Sequence, residues 1–190
     1  IAAYLRSFHN HTSCTMVPTE AQRAELQAAG FERTVVVARG VDTQRFDPAR
    51  RSQALRGQWG VAEDDNAVLY VGRLAAEKNL GLLLQAFAAM RQVNPRARLV
   101  LVGDGPLRSA LQQRCPEALF AGQRSGIDLA AHYASADLFL FPSLTETFGN
   151  VTPEAMASGL PVLAFDHAAA GQLIEHGHNG WLAPQGDDAA

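Results

Sequence analysis

Two glutamates stand with seven residues between them in a segment otherwise made of small, hydroxyl, amide and apolar side chains: Glu146 and Glu154 in SLTETFGNVTPEAMASGLP (143–161). The segment reads as a loop, 142–150, running into a helix over 150–158. Gly149 and Asn150 lie where that helix begins, and Thr152-Pro153 suits a first turn. The first amides of a helix have no intrahelical acceptor, so they can bind an anion without any charged side chain. Glu154, just inside the helix, has an ordinary explanation, because acids near a helix start are favoured by the dipole. Glu146 has none. A carboxylate beside a phosphate site would repel the phosphate, so its expected partners are sugar hydroxyls. Two carboxylates bracketing an anion site suit a ligand with hydroxyls on both sides of a diphosphate, which describes a nucleotide sugar.

A second loop, GRLAAEKN (72–79), carries Arg73 and Lys78 close to the start of the helix that follows, where Asn79 could serve as cap. Two cations at a positive helix end are unfavourable unless an anion joins them. A diphosphate would, with Arg binding it bidentately and Lys acting as a point charge. The competing reading is two solvated cations, Lys78 being offset by Glu77. Three further loops say less. GDGP (103–106) permits a tight turn, with Pro106 suited to a first helical turn, but it lacks both the GxGxxG and the GxxxxGK[ST] spacings. GQRSG (122–126) either borders a base or simply turns the chain. In FDHAAAG (165–171), Asp166 and His167 are adjacent rather than facing, which argues against an acid–base dyad.

These loops need a scaffold. The apolar runs TVVVA (34–38), AVLYV (67–71), RLVLV (98–102), DLFLF (137–141) and LPVLA (160–164) lack polar alternation, as strands buried on both faces do. CTMV (14–17) and ALFAG (118–122) are weaker strand candidates. Helical spacing appears over 79–93 through Leu80, Leu83, Leu84, Phe87 and Met90. Helices are also expected over 19–29, ending at Gly30, and over 126–134. The alternation predicts a doubly wound α/β layer. RGVDTQRFDPARR, with no apolar period, reads as a connector. The expected layout is therefore the tail of one domain (1–40), a linker (41–60) and a Rossmann-like domain (61–190) truncated at its C-terminal end. In open parallel sheets, ligands bind outside the carboxyl ends of the strands, where all five loops would lie.

The 190 residues, 47% hydrophobic with a formal net charge of −3, suffice for one core and hold no basic stripe for nucleic acid. Cys14 and Cys115 read as reduced, buried thiols of a cytoplasmic protein. His9, His11, His176 and His178 read as solvated loop histidines, and no zinc-ligand spacing is present. No apolar run reaches membrane-spanning length. The opening IAAYLRSFHN, without an initiator Met, reads as cut inside a helix, and the ending APQGDDAA as unfinished, so a fragment is expected.

YVGRLAAEKNL, LVLVGDGPLRSAL and SLTETFGNVTPEAMASGLPV together resemble the retaining glycosyltransferases of family 4, the group 1 transferases, and GVDTQRFDP resembles their interdomain segment. The similarity runs over nearly the whole chain in the right order. It implies the GT-B architecture, with this chain supplying the C-terminal, donor-binding domain and a remnant of the N-terminal one. It implies transfer of a hexose from a UDP- or GDP-sugar with retention. It implies that Gly72, Arg73 and Lys78 hold the diphosphate, and that Glu146 and the backbone of Phe148, Gly149, Asn150 and Val151 face the sugar and its phosphate. Glu154 would take the ribose, and the Arg124 region would border the base. Catalytic roles then fall to Glu146, Arg73 and Lys78, with no metal or other cofactor. The acceptor would be a sugar, a glycolipid or a polysaccharide precursor, and the protein cytoplasmic or peripheral on the inner face of the cell membrane through the missing domain. The family's N-terminal glycine-rich loop and histidine are not matched by His9 or His11, so the fragment alone is expected to transfer poorly. Other readings are a non-catalytic nucleotide-binding module or another GT-B-like enzyme such as a sugar-nucleotide epimerase. A phosphorylase would need a lysine placed to anchor pyridoxal phosphate, and none is.

Overall fold

The structure is a computed structural model describing residues 1–185, so the end of APQGDDAA lies outside the described residues. The chain divides into two compact units, Ile1–Gly40 and Val41–Ala190. In the first, β1 (Thr15–Val17) and β2 (Thr34–Val36) pair in parallel. The connection is α2 (Glu20–Ala28), capped where the Thr19 hydroxyl accepts the Gln22 amide and closed by Gly30 at φ +88°. A preceding helix, α1 (Ala2–Asn10), includes His9, with His11 at its C-cap, so these are helix-end rather than loop residues. Cys14 is half-buried, not buried as expected; Cys115 of the second unit is buried, and both are free thiols.

The second unit is a six-stranded parallel sheet. Its strands are β3 (Ala67–Val71), β4 (Arg98–Val102), β5 (Leu119–Gly122), β6 (Leu138–Phe141), β7 (Val162–Phe165) and β8 (Gly180–Ala183). Their order is β5-β4-β3-β6-β7-β8, all neighbours parallel. The chain starts in the middle, winds to one edge, returns and winds to the other. This is the doubly wound order whose reversal, between β3 and β6, opens a crevice at the strands' carboxyl ends. Val68, Leu69 and Tyr70 are fully buried, which is why β3 shows no polar alternation. The helix α4 (Leu80–Val93) covers the sheet with Leu80, Leu83, Leu84 and Phe87. The remaining helices of this sheet are α5 (Arg108–Arg114), α6 (Gly126–Ser135), α7 (Val151–Ala157) and α8 (Ala168–Leu173).

The sequence and the structure differ most over 41–60. Instead of an unpacked connector, this stretch forms a 3-10 turn, Pro48–Arg50, and a helix, α3 (Gln53–Gln58), on the second unit. Phe46 and Trp59 are buried there, and Arg56 is the largest fully buried side chain. Its guanidinium donates to the carbonyls of Ser135, Ala62 and Asp65 and to Asp137 Oδ2 at 2.8–3.0 Å. Arg51 donates to Asp137 Oδ1 at 2.7 Å. An Arg cluster without apolar period thus marks a buried polar staple, which periodicity cannot register. The elements α5 and α8 have seven and six residues, and α3 six, too short to show a helical period.

Candidate active site

The loops after β3 and β6 meet at the topological switch point. After β3, the backbone passes Gly72 and Arg73 and turns through a 3-10 helix, Ala76–Lys78, into α4. Asn79 joins the two in the left-handed conformation, φ +50°; its side chain makes no capping bond, contrary to the cap expected of it. The loop is locked to its neighbour by backbone bonds from Gly72 N to Val102 O and from Leu74 N to Asp104 O. From below, the buried Tyr70 hydroxyl donates to Arg73 O at 3.1 Å. Burial, with the charges of Glu146 and Glu77 adding, pushes that phenol far above its ordinary pKa, so it is a fixed donor. Pro106, expected in the first turn of a helix, lies in the turn before α5.

After β6, Ser143 is buried and Glu146 is 15% exposed at its side chain. Lys78 Nζ donates to Glu146 Oε1, which also accepts the Ser143 hydroxyl at 2.8 Å. Lys78 Nζ lies 5.8 Å from the centre of the Phe141 ring, a weak cation–π contact. The two cations expected to await an anion therefore each carry a glutamate. Arg73, 68% exposed, stands 3.7 Å from Glu77, and Lys78 is held by Glu146 rather than offset by Glu77. Phe148 is buried, Gly149 turns the chain at φ +85°, and Asn150 precedes α7 without a side-chain cap. Among the described residues, the amides of Phe148, Gly149, Asn150 and Val151 have no hydrogen-bond acceptor. They remain a row of free donors beside Glu146.

Glu154 sits within the first turn of α7 and accepts the hydroxyl of fully buried Tyr133 at 3.0 Å. Burial raises the Glu154 pKa, while the Tyr133 hydrogen bond and the Arg45 charge lower it, with burial winning. Glu146 and Glu154 share no partner. Arg124 is exposed and occupied locally, by Ala121 O at 2.9 Å and Asp128 at 3.1 Å. It lines a separate cavity with Trp59, Phe120 and His132, and is not drawn into the Lys78–Glu146 cluster.

Two residues with no assigned role belong to the site. Tyr133 holds Glu154, and its only sequence signal is an aromatic on the buried face of α6. His167 accepts the Glu146 amide on Nε2 at 3.2 Å. Asp166, expected to form no dyad with it, makes no hydrogen bond to it among the described residues. Among the described residues, no cluster of three or more His, Cys, Asp or Glu is placed to hold a metal ion, and no helix is long and apolar enough to cross a membrane.

Residues 65–190 match the family described as Glycosyl transferases group 1. Over 185 residues the chain is 42% identical to a GDP-mannose-dependent alpha-mannosyltransferase of Mycobacterium tuberculosis, covering 97% of this chain and 47% of that protein. It is 35% identical over 192 residues to the sulfoquinovosyl transferase SQD2 of Arabidopsis thaliana, covering 96% of this chain and 37% of that one. The crystal structure of Anabaena Alr3699/HepE in complex with UDP and glucose superimposes with a TM-score of 0.82 at 28% identity, over 98% of this chain and 54% of that chain. The chain thus spans about half the length of the relatives it matches. The doubly wound sheet, the loops at its switch point and the family match over 65–190 agree: the chain belongs to the group 1 glycosyl transferases.

Proposed function

We propose that this chain is the donor-binding part of a hexosyltransferase, which moves a sugar from a UDP- or GDP-hexose to a sugar, glycolipid or polysaccharide-precursor acceptor with retention of configuration. The observation that carries this reading is the meeting of Lys78 with Glu146 at the switch point between β3 and β6. A cation suited to a diphosphate and a carboxylate suited to sugar hydroxyls lie in contact, beside the free amides of 148–151. A nucleotide sugar has its diphosphate and its hexose adjacent in the same way. A relative that uses GDP-mannose and a solved structure that holds UDP and glucose support the same class of donor.

In this reading the diphosphate lies between Arg73, Lys78 and the start of α7, near Gly72. These cations and amides stabilise the charge that grows on the leaving diphosphate as the glycosidic bond breaks, an interaction strongest in the transition state. Glu146 orients the hexose, Glu154 accepts the ribose hydroxyls, and Arg124 borders the base. The cations take the neutralising role without a metal ion. Residues 61–190 are the donor domain, 41–60 leads into it from a partner domain and packs on it, and 1–40 is the partner domain's tail. Membrane acceptors would be reached by peripheral association.

Titration with UDP, GDP and their hexose conjugates tests the assignment. Arg73→Ala and Lys78→Ala are each expected to weaken nucleoside diphosphate binding by ~1–3 kcal/mol, the range for hydrogen bonds to charged groups. Unchanged titrations in both variants would remove the diphosphate from this site.

A further inference from the structure

One short segment, 167–169, holds the loop that carries Glu146 at two points. Ala169 N donates to Phe148 O at 2.8 Å, and two residues earlier His167 Nε2 accepts the amide of Glu146 at 3.2 Å. Between them Ala168 is forced to φ +52°, a left-handed conformation unfavourable for a residue with a Cβ. Glycine would fit that turn more readily. The turn allows both neighbours to reach the same loop, one by side chain and one by backbone. The imidazole lines a narrow cavity with Ser143, Glu146, Phe148 and Thr152, so it lies against the loop rather than in solvent.

We propose that His167 is a positioning residue for the donor hexose: by accepting the Glu146 amide, it fixes the backbone from which the Glu146 carboxylate reaches the sugar. This rests on the donor-site reading above and deepens it. An amide N–H can only donate, so Nε2 must be the unprotonated nitrogen and the contact requires a neutral ring. Protonation of Nε2 sets one donor against another and removes the contact. The titratable groups around the ring are Glu146 itself, Lys78 on the far side of that carboxylate, and Asp166 in the ring's own loop. Arg73 sits on the β3 side without a bond to Glu146, whereas Lys78 meets its carboxylate. His167 therefore acts first on recognition of the hexose, and on the diphosphate only through the Lys78–Glu146 pair.

The experiment compares affinities for UDP and GDP with those for UDP-glucose and GDP-mannose. It uses the wild-type chain, His167→Gln and His167→Ala, each checked for a cooperative thermal transition. Glutamine can present a neutral acceptor near the position of Nε2. The affinity gained from the hexose should be roughly fivefold to tenfold smaller in His167→Ala than in the wild type, the scale of one lost hydrogen bond. His167→Gln should keep that gain, while affinity for free UDP or GDP changes less than the hexose gain does. Amide exchange at Glu146 should quicken in His167→Ala and be restored in His167→Gln, a readout that needs no ligand. A full hexose gain in His167→Ala, or a loss in His167→Gln equal to that in His167→Ala, overturns the proposal. If none of the nucleotides binds the wild-type chain, the donor-site reading falls and takes this assignment with it. If UDP or GDP binds the wild type but no hexose gain appears, only the positioning role is lost.

Discussion

Lys78 Nζ and Glu146 Oε1 are hydrogen-bonded to each other across the junction of the β3 and β6 loops, with both side chains about five-sixths buried. The cation expected to hold the diphosphate and the carboxylate expected to hold the hexose are each other's partners. In the proposed donor site, a diphosphate would compete with Glu146 for the Lys78 ammonium, and the less tightly held carboxylate would turn to hydroxyls. Recognition of diphosphate and hexose would then be linked through one ion pair.

That competition has a measurable sign. Glu146→Gln keeps the size and the acceptor of the side chain but removes the charge that rivals the diphosphate. Its affinity for free UDP or GDP should rise by about 0.5–1.5 kcal/mol, the net worth of a typical intramolecular hydrogen bond. Its affinity for the nucleotide sugar should rise less or fall, because one of the two accepting oxygens offered to the hexose becomes an amide nitrogen that can only donate. Calorimetric titration of both ligand types separates these outcomes, and equal changes for both would contradict the linkage.

Glu154 should trade stability for binding. Its carboxyl titrates above its ordinary value because burial outweighs the Tyr133 and Arg45 contributions. A raised carboxyl pKa favours the protonated folded state. The stability involved is fully present below the unfolded value near 4.5 and is lost as pH rises through the folded value. At neutral pH the ionised Glu154 is therefore a small liability. Glu154→Gln, which still offers Tyr133 an acceptor, should melt a few degrees higher at about pH 7, with little difference at about pH 4. It should also bind nucleoside diphosphates more weakly. A lower melting point at neutral pH would show that the carboxylate is favourably held.

The sheet was legible because its strands are buried on both faces and leave uninterrupted apolar runs, such as AVLYV, in the sequence. The rule that ligands gather at the carboxyl ends of such a sheet named the loops after β3 and β6, and these two loops meet. What stayed hidden is pairwise. Nothing in the spacing tells that Lys78 chooses Glu146, 68 residues away, over Glu77 beside it. The role of His167 stayed hidden because its partner is a backbone amide, which carries no residue signature. The strand GWLA (180–183) was missed because Gly180 and the 49% exposed Trp181 break the apolar run. Arg56 was hidden for the opposite reason, since a charged side chain in an arginine-rich stretch reads as solvated, yet it is 1% exposed.

The Arg56 staple gives a prediction about acid. Burial alone would raise the Asp137 pKa, but the Ala67 amide and the two guanidinium groups together outweigh it and bring it below its ordinary value. A depressed carboxyl contributes stability that is present above the unfolded value near 3.8 and is lost as pH falls through the folded value. Asp137→Ala should cost about 3–5 kcal/mol near neutral pH, because it strands a buried guanidinium. Asp137→Asn should cost less and should lose stability less steeply below about pH 4 than the wild type. Urea unfolding across that range checks both slopes.

Two glycines with opposite surroundings test how tightly the loops beside Arg73 are locked. A Cβ on Gly103 would lie 1.9 Å from Gly72 O, a backbone atom that cannot swing aside, and Gly103 holds φ +132°. The Gly72 amide is bonded to Val102 O, and Arg73 follows directly. Gly103→Ala must therefore push the β3 loop away. It should cost about 1–3 kcal/mol or more, as overpacking does, and weaken diphosphate binding along with stability. Gly81, in the first turns of α4, has nothing within 4 Å of the Cβ position. Gly81→Ala should instead stabilise by about 0.4–1 kcal/mol, by restricting the unfolded chain, and leave diphosphate binding unchanged. Chemical denaturation and UDP or GDP titration of the pair give four readings. A Gly103→Ala protein that folds and binds like the wild type would mean that the two loops are not held in the contact from which the position of Arg73 follows.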